Sequence, residues 1–162
     1  MDDIDAGIRK GDRWFRYRAA AILLEEGHVL MARNERDPFY YSVGGAVRIG
    51  EAAEDAVRRE VLEEVGEDYE VDRLAFVHEN FFVGEFPSNR GLQCHELALY
   101  FLMKPRGTRA IRGAESYAID GAREGVLWLP VDRLDEYFIH PRFFTQKLKD
   151  IPETPEHIVT HQ

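Results

Sequence analysis

Glu60, Glu63 and Glu64 stand three and four residues apart, the spacing that stacks side chains on one face of a helix, and Arg59 lies beside them. Like charges so placed repel by about 0.2–0.5 kcal/mol per exposed pair. A hard divalent cation such as Mg²⁺ takes oxygen ligands and turns that repulsion into binding. The spacing alone also fits an acidic helix face that only aids solubility. With a cation held there, the chemistry within reach is substitution at phosphorus by water. The ion screens a diphosphate, polarises the attacked P–O unit and lowers the pKa of bound water. Such a reaction is mainly positioning plus charge stabilisation, so it requires neither a Cys nor a Ser nucleophile.

The cluster closes a longer pattern: Gly45, five residues, Glu51, seven residues, then Arg59-Glu60-Val61-Leu62-Glu63-Glu64-Val65-Gly66. The pattern resembles the Nudix box, the signature of the Nudix hydrolases (MutT-like proteins). At about 7% usage per residue type, its seven fixed residues would fall into register by chance on the order of 10⁻⁸ times per starting point. The resemblance is specific over residues 45–66 and architectural over roughly residues 15–140.

What the resemblance implies is an α/β fold, an α/β/α sandwich in which a loop-helix-loop motif is set against a mixed β-sheet. It also implies Mg²⁺ or Mn²⁺ as cofactor, with Glu60 and Glu64 as ligands and Glu63 as a third ligand or the activator of water. The Gly45 carbonyl would complete the shell. Arg59 would orient a carboxylate through charge-assisted hydrogen bonds. Glu51 would steady the loop and helix start, or simply complement the helix dipole. Family members often add a glutamate from a distant loop, which makes Glu115 or Glu124 a further acidic candidate. The chain departs from the family at Val43, where Pro is usual, and at Glu67, where an apolar residue closes the box.

The elements that must position these groups read clearly around the box. Residues 51–65 contain neither Gly nor Pro, are rich in helix formers and stop at Gly66, which predicts a helix. Upstream, residues 17–24 and 28–33 flank Glu25-Glu26-Gly27 and predict a hairpin, and the aromatic run 39–43 predicts a strand ending at Gly44-Gly45. Downstream, strands are expected over 71–82, 93–103 and 126–129, and helices over 131–137 and 141–149. Pro152 and Pro155 predict an irregular tail from about residue 151. No repeat or composition shift marks a boundary, so residues 1–162 are expected to form one domain.

Composition narrows the partners. Lys and Arg number 21 against 30 Asp and Glu, a formal net charge of −9 that repels phosphate backbones and argues against long nucleic acid. No run approaches the roughly 20 apolar residues of a membrane span, and the start lacks a basic, apolar leader, so neither membrane insertion nor export is expected. Cys94 is the only cysteine, which excludes an internal disulfide and suits a cytoplasmic location. Dimers are common in the family, and a homodimer is a partner the resemblance leaves open.

Substrate contacts are sought outside the box. Arg33 precedes the loop entering it and is a candidate for a phosphate or ribose. Tyr40, opposite in orientation to Phe39 and Tyr41, is a candidate for base stacking. Glu96 and the His78-Glu79 pair are charged positions on strands, explained either by the site or by solvent-facing edges. His140 and His157 have no ligand spacing with another His or Cys and are read as surface residues. The proline associated with ADP-ribose hydrolases is absent between Glu67 and Pro87, and no Tyr stands between Tyr69 and Tyr100 to match dinucleoside-polyphosphate enzymes. The expected substrate is therefore a nucleoside diphosphate linked to another moiety, or a nucleoside triphosphate. Two other classes are a non-catalytic module that senses a nucleotide or ADP-ribose, and an isopentenyl diphosphate isomerase. The isomerase needs a cysteine before the box, which this chain lacks.

Overall fold

The computed structural model describes residues 3–111, 115–117 and 123–162. Six strands precede the helix: β1 (Gly7–Lys10), β2 (Arg13–Ile22), β3 (Leu24–Glu25), β4 (His28–Asn34), β5 (Tyr40–Ser42) and β6 (Gly44–Ala46). The helix α1 (Ala53–Val65) is followed by β7 (Val71–Val83), β8 (Gln93–Met103), β9 (Glu115–Tyr117) and β10 (Arg123–Pro130). A 3₁₀ segment over Val131–Glu136, β11 (Ile139–His140), α2 (Phe144–Lys147) and β12 (Glu156–His161) complete the described chain.

The strands form two mixed sheets. One runs β1-β2-β8-β7-β12 with β6 also on β2; the other runs β11-β5-β4-β10-β9 with β3 also on β4. Strand β2 decides the layering, because Ala19, Ala20, Ala21 and Ile22 are all fully buried and alternate between two cores. Ala19 and Ala21 pack with Leu30, Phe101 and the Val57, Val61 and Val65 stripe of α1. Ala20 and Ile22 pack with Met31, Phe76, Leu134 and Phe144. Helical structure thus covers both sides of the sheets, as expected of an α/β/α sandwich. The second helical layer, expected over 131–137 and 141–149, is reduced to the 3₁₀ segment and the single turn of α2.

Two expectations are overturned. Residues 17–24 and 28–33 are not hairpin partners, since β2 pairs with β1, β6 and β8, whereas β4 pairs with β3, β5 and β10. The turn at Glu26 (φ 51°) and Gly27 (φ 77°) closes only β3 onto β4, so the chain changes sheet at Leu23. Beyond residue 151 the chain is not an irregular tail either, because β12 lies parallel to β7 from Glu156 to His161. Pro152 and Pro155 both precede that strand, where their missing N–H groups cost the ladder nothing.

A buried polar network ties the C-terminal end of α1 to the β3 turn. Glu25 is 2% exposed, and its carboxylate accepts hydrogen bonds from the Tyr69 hydroxyl (3.0 Å) and from the backbone N–H groups of Arg106 (2.8 Å) and Gly107 (2.9 Å). Burial and the bond to Glu25 push the Tyr69 phenol up to about 12. Arg106 lies over the Tyr69 ring and pairs with buried Glu67 at 3.3 Å. That pairing explains how a charge is tolerated where the family has an apolar residue. The helix itself ends cleanly at Gly66, whose φ of 80° lets its N–H reach the Leu62 carbonyl.

Candidate active site

The box carboxylates are held at the margin of the buried stripe on α1. Val57, Val61 and Val65 recur every four residues and face the core, so Glu60 and Glu64 come out half-buried beside it, and Glu63 points to solvent. Glu54 and Asp55 in the first turn complement the helix dipole in place of a side-chain cap.

Arg59 organises the acidic groups. Its Nε donates to Glu51 Oε2 (2.9 Å), its Nη2 to Glu51 Oε1 (3.0 Å) and to the Ala46 carbonyl (3.2 Å), and its Nη1 to Glu60 Oε1 (2.8 Å). Glu63 approaches the same nitrogen at 3.6 Å. The hydrogen bond from Arg59 holds Glu51 below the usual carboxylate range, and the acidic partners hold the guanidinium above its ordinary value. Glu51 also accepts the Arg48 N–H at 3.1 Å, which pins the loop leading into the helix.

The paired glycines bring the loop onto these side chains. The Gly44 N–H donates to Glu64 Oε2 at 2.9 Å. A Cβ at Gly45 would lie 2.5 Å from the Glu60 carboxylate, and one at Gly44 would lie 2.3 Å from the Ala19 carbonyl oxygen. Only glycine lets β6 sit this close to both the helix and β2.

The donor set of Glu60, Glu63, Glu64 and the Gly45 carbonyl is all hard oxygen and fits Mg²⁺ or Mn²⁺ in kind. Gly45 leaves room for the Glu60 carboxylate where a side chain would stand. In the geometry seen, Arg59 takes the centre of the cluster. Among the described residues no three His, Cys, Asp or Glu side chains are drawn together as a ready metal cage.

A cavity of about 570 Å³ adjoins the box, lined at one end by Gly44, Gly45 and Glu64. Its floor is one face of the first sheet, carrying Trp14, Arg16 and Arg18 from β2, Glu96 and Tyr100 from β8, and His78, Asn80 and Phe82 from β7. Phe39, Tyr41, Phe86 and His140 enclose it from the second sheet and the 84–91 loop. Phe39 meets Phe86 and His140 edge-on, with centroids 5.1 and 4.6 Å apart. A flat, partly polar group is what such walls accommodate.

The expected substrate residues divide. Glu96 lines the cavity and pairs with Arg16 at 3.2 Å. Arg33 is exposed and Tyr40 packs on Tyr137 at the second core, and neither is part of the cavity lining. It is the neighbours Phe39 and Tyr41 that face inward. The side chains of Glu115 and Glu124 lie outside the described residues. His78 and His140 both belong to the cavity wall, and burial holds both imidazoles below their ordinary value. His78, 3% exposed, bonds Thr160 Oγ1 at 2.8 Å, and Glu79 pairs instead with His157 on the other face.

Arg18 was not singled out from the sequence. It is half-buried in the cavity wall, and its Nη2 donates to both the carbonyl and the hydroxyl of Ser42. Burial acts to lower its pKa, but Glu96, Tyr100, Glu64 and Glu60 outweigh that and hold it raised. The signal was present as Trp14-x-Arg16-x-Arg18 alternation at the start of a strand whose later residues are apolar.

Comparison with known proteins gives a consistent result. The NUDIX domain family matches residues 14–148. A "MutT-like protein" of Streptomyces ambofaciens is 31% identical over 118 residues, covering 73% of this chain and 65% of that protein. The chain therefore spans just under two thirds of the length of this curated relative. The structure of a mutator MutT protein from Bacillus halodurans superposes with a TM-score of 0.64 at 15% identity, covering 90% of this chain and 89% of that one. A MutT NUDIX hydrolase from Burkholderia pseudomallei has a TM-score of 0.52 at 25% identity, covering 73% and 84%.

Proposed function

The chain belongs to the NUDIX domain family, and on that premise we propose that it hydrolyses a diphosphate linkage in a nucleoside diphosphate joined to another moiety, or in a nucleoside triphosphate, with a divalent cation. The observation that carries this is the continuity of the box with the cavity: Gly44, Gly45 and Glu64 line the same space as Trp14, Phe39, Tyr41 and Phe86. A diphosphate placed at the box thereby has an aromatic chamber beside it for the nucleoside.

Glu60, Glu64 and the Gly45 carbonyl are the groups that would hold Mg²⁺ or Mn²⁺. When bound, such an ion supplies charge screening of the diphosphate and acidification of water. Glu63, 54% exposed and only loosely approached by Arg59, would accept a proton from the attacking water. Arg59 keeps Glu60 turned toward Gly45 and, through Glu51, fixes the loop that carries Gly44 and Gly45. Water adds to phosphorus, the anhydride P–O bond breaks, and two phosphate-bearing fragments result. The aromatic walls and the paired Arg16–Glu96 orient the nucleoside and exclude bulk water.

The test is hydrolysis of a nucleotide panel with Mg²⁺ in ¹⁸O-labelled water. Product carrying the label on one fragment supports the proposal and identifies the attacked phosphorus. Binding of a nucleotide by calorimetry with no product at any Mg²⁺ or Mn²⁺ concentration overturns it in favour of a sensing module.

A further inference from the structure

We infer that Arg18 is a substrate-binding residue, whose guanidinium takes a phosphate oxygen of the diphosphate on the side turned away from the box carboxylates. The inference rests on the hydrolase reading of the same cavity and names the group that reads the anion there.

Arg18 Nη2 is committed to Ser42 of β5, at the strand end that leads into Gly44 and Gly45. No other protein hydrogen bond of the guanidinium is found among the described residues, yet neither Nε nor Nη1 is among the buried side-chain atoms left without a partner. Both donors therefore face open space, and the space Arg18 lines is the cavity. A planar fork with one edge fixed and the other edge free is suited to a phosphate, which accepts two parallel N–H bonds.

The other charges of the cavity leave this task to Arg18. Arg16, two residues earlier on the same face and about 7 Å away along the strand, is held by Glu96 at 3.2 Å and stacks over Trp14 at 4.7 Å. Arg59 is engaged by Glu51, Glu60 and the Ala46 carbonyl and is not part of the cavity lining. Arg18 lines the same cavity as Glu64, Gly44 and Gly45, so it stands inside the chamber that the box opens into. A diphosphate lying between them would meet acidic groups on one side and a guanidinium on the other.

The test measures binding, with Mg²⁺ present, of an α,β-methylene nucleoside diphosphate, which cannot be cut at the bridging carbon. Arg18→Gln is expected to weaken binding at least 10-fold, and Arg18→Lys to recover part of it through charge without the fork. With a hydrolysable substrate, KM should rise by a similar factor while kcat changes less than about 3-fold, a split that mere loosening of Ser42 would not give. Should Arg18→Gln fail to fold by circular dichroism, the Lys variant with its KM-against-kcat split decides. Wild-type affinity in a folded Arg18 variant overturns the inference and leaves the hydrolase reading standing. Absence of both binding and turnover in the wild-type protein overturns both.

Discussion

Two acidic regions adjoin α1, one just past its C-terminal end and one on the exposed margin of the helix, and they treat their carboxylates in opposite ways. At the C-terminal end, Glu25 alone receives three donors, and Glu67 has the guanidinium of Arg106. At the box, Glu51, Glu60 and Glu63 all lean on the single guanidinium of Arg59. The first region uses its charges to fix the fold; the second, among the described residues, gathers Glu51, Glu60 and Glu63 around one guanidinium, with backbone N–H groups reaching only Glu51 and Glu64. Burial of an acidic group therefore does not identify a site by itself. The ratio of carboxylates to donors separates the two.

The sharpest break in the comparison is Glu25→Ala. It strands the buried Tyr69 hydroxyl, takes the acceptor from two part-buried backbone N–H groups and should cost about 3 kcal/mol in urea unfolding, with kcat per folded molecule within about 3-fold of wild type. A wild-type unfolding midpoint would mean that water substitutes freely and that the network is not structural. Glu60→Gln should do the reverse, lowering kcat by about 10²-fold, or about 2.7 kcal/mol in barrier, while leaving the unfolding midpoint unchanged or raised because a crowded charge is removed. Loss of stability without loss of rate would put Glu60 in the structural class.

The adjacent glycines sharpen the contrast within four atoms of backbone. Gly44→Ala drives a methyl group into the backbone of β2 and should cost about 2 kcal/mol of stability. Gly45→Ala meets only the end of the Glu60 side chain, which can swing aside, so the expected loss is about 10-fold in kcat with a nearly unchanged melting temperature. Equal effects of the two substitutions on stability would refute that division.

The smallest effect is the response to acid. Burial lowers the His78 pKa below 6.5, so the unfolded chain binds the proton more readily, and stability is lost as pH falls from 6.5 toward the lowered value. Glu51 is likewise depressed, through Arg59; its contribution is present above 4.5 and is lost as pH falls through its folded value. Unfolding midpoints of Glu51→Gln should therefore converge with wild type at low pH, and His78→Phe should flatten the earlier slope.

The box was legible because its geometry is local: spacing on one helix places Glu60, Glu63 and Glu64 together whatever the rest of the chain does. The strands expected over 71–82 and 93–103 were legible as long runs of strand-forming residues on either side of a Gly- and Pro-containing loop, and the first runs one residue further, to Val83. The cavity was not, because its floor depends on register between distant strands, such as Arg16 against Glu96 and Glu96 against Asn80. The hairpin expectation failed where turn chemistry at Glu26-Gly27 is sound but only Leu24 and Glu25 return along it. Long-range pairing took β2 elsewhere. Tyr40 was chosen over Phe39 and Tyr41 from alternation, which separates two faces without saying which one is inward. The prolines at 152 and 155 mask a strand whose partner among the described residues is β7, some 80 residues earlier.

That last strand has a practical consequence. Gln162 lines the cavity, and its amide bonds Asn80, which is also bonded by Thr160. Residues joined beyond Gln162, such as a purification tag or fusion partner, would begin at the rim of the chamber and compete with a ligand for entry.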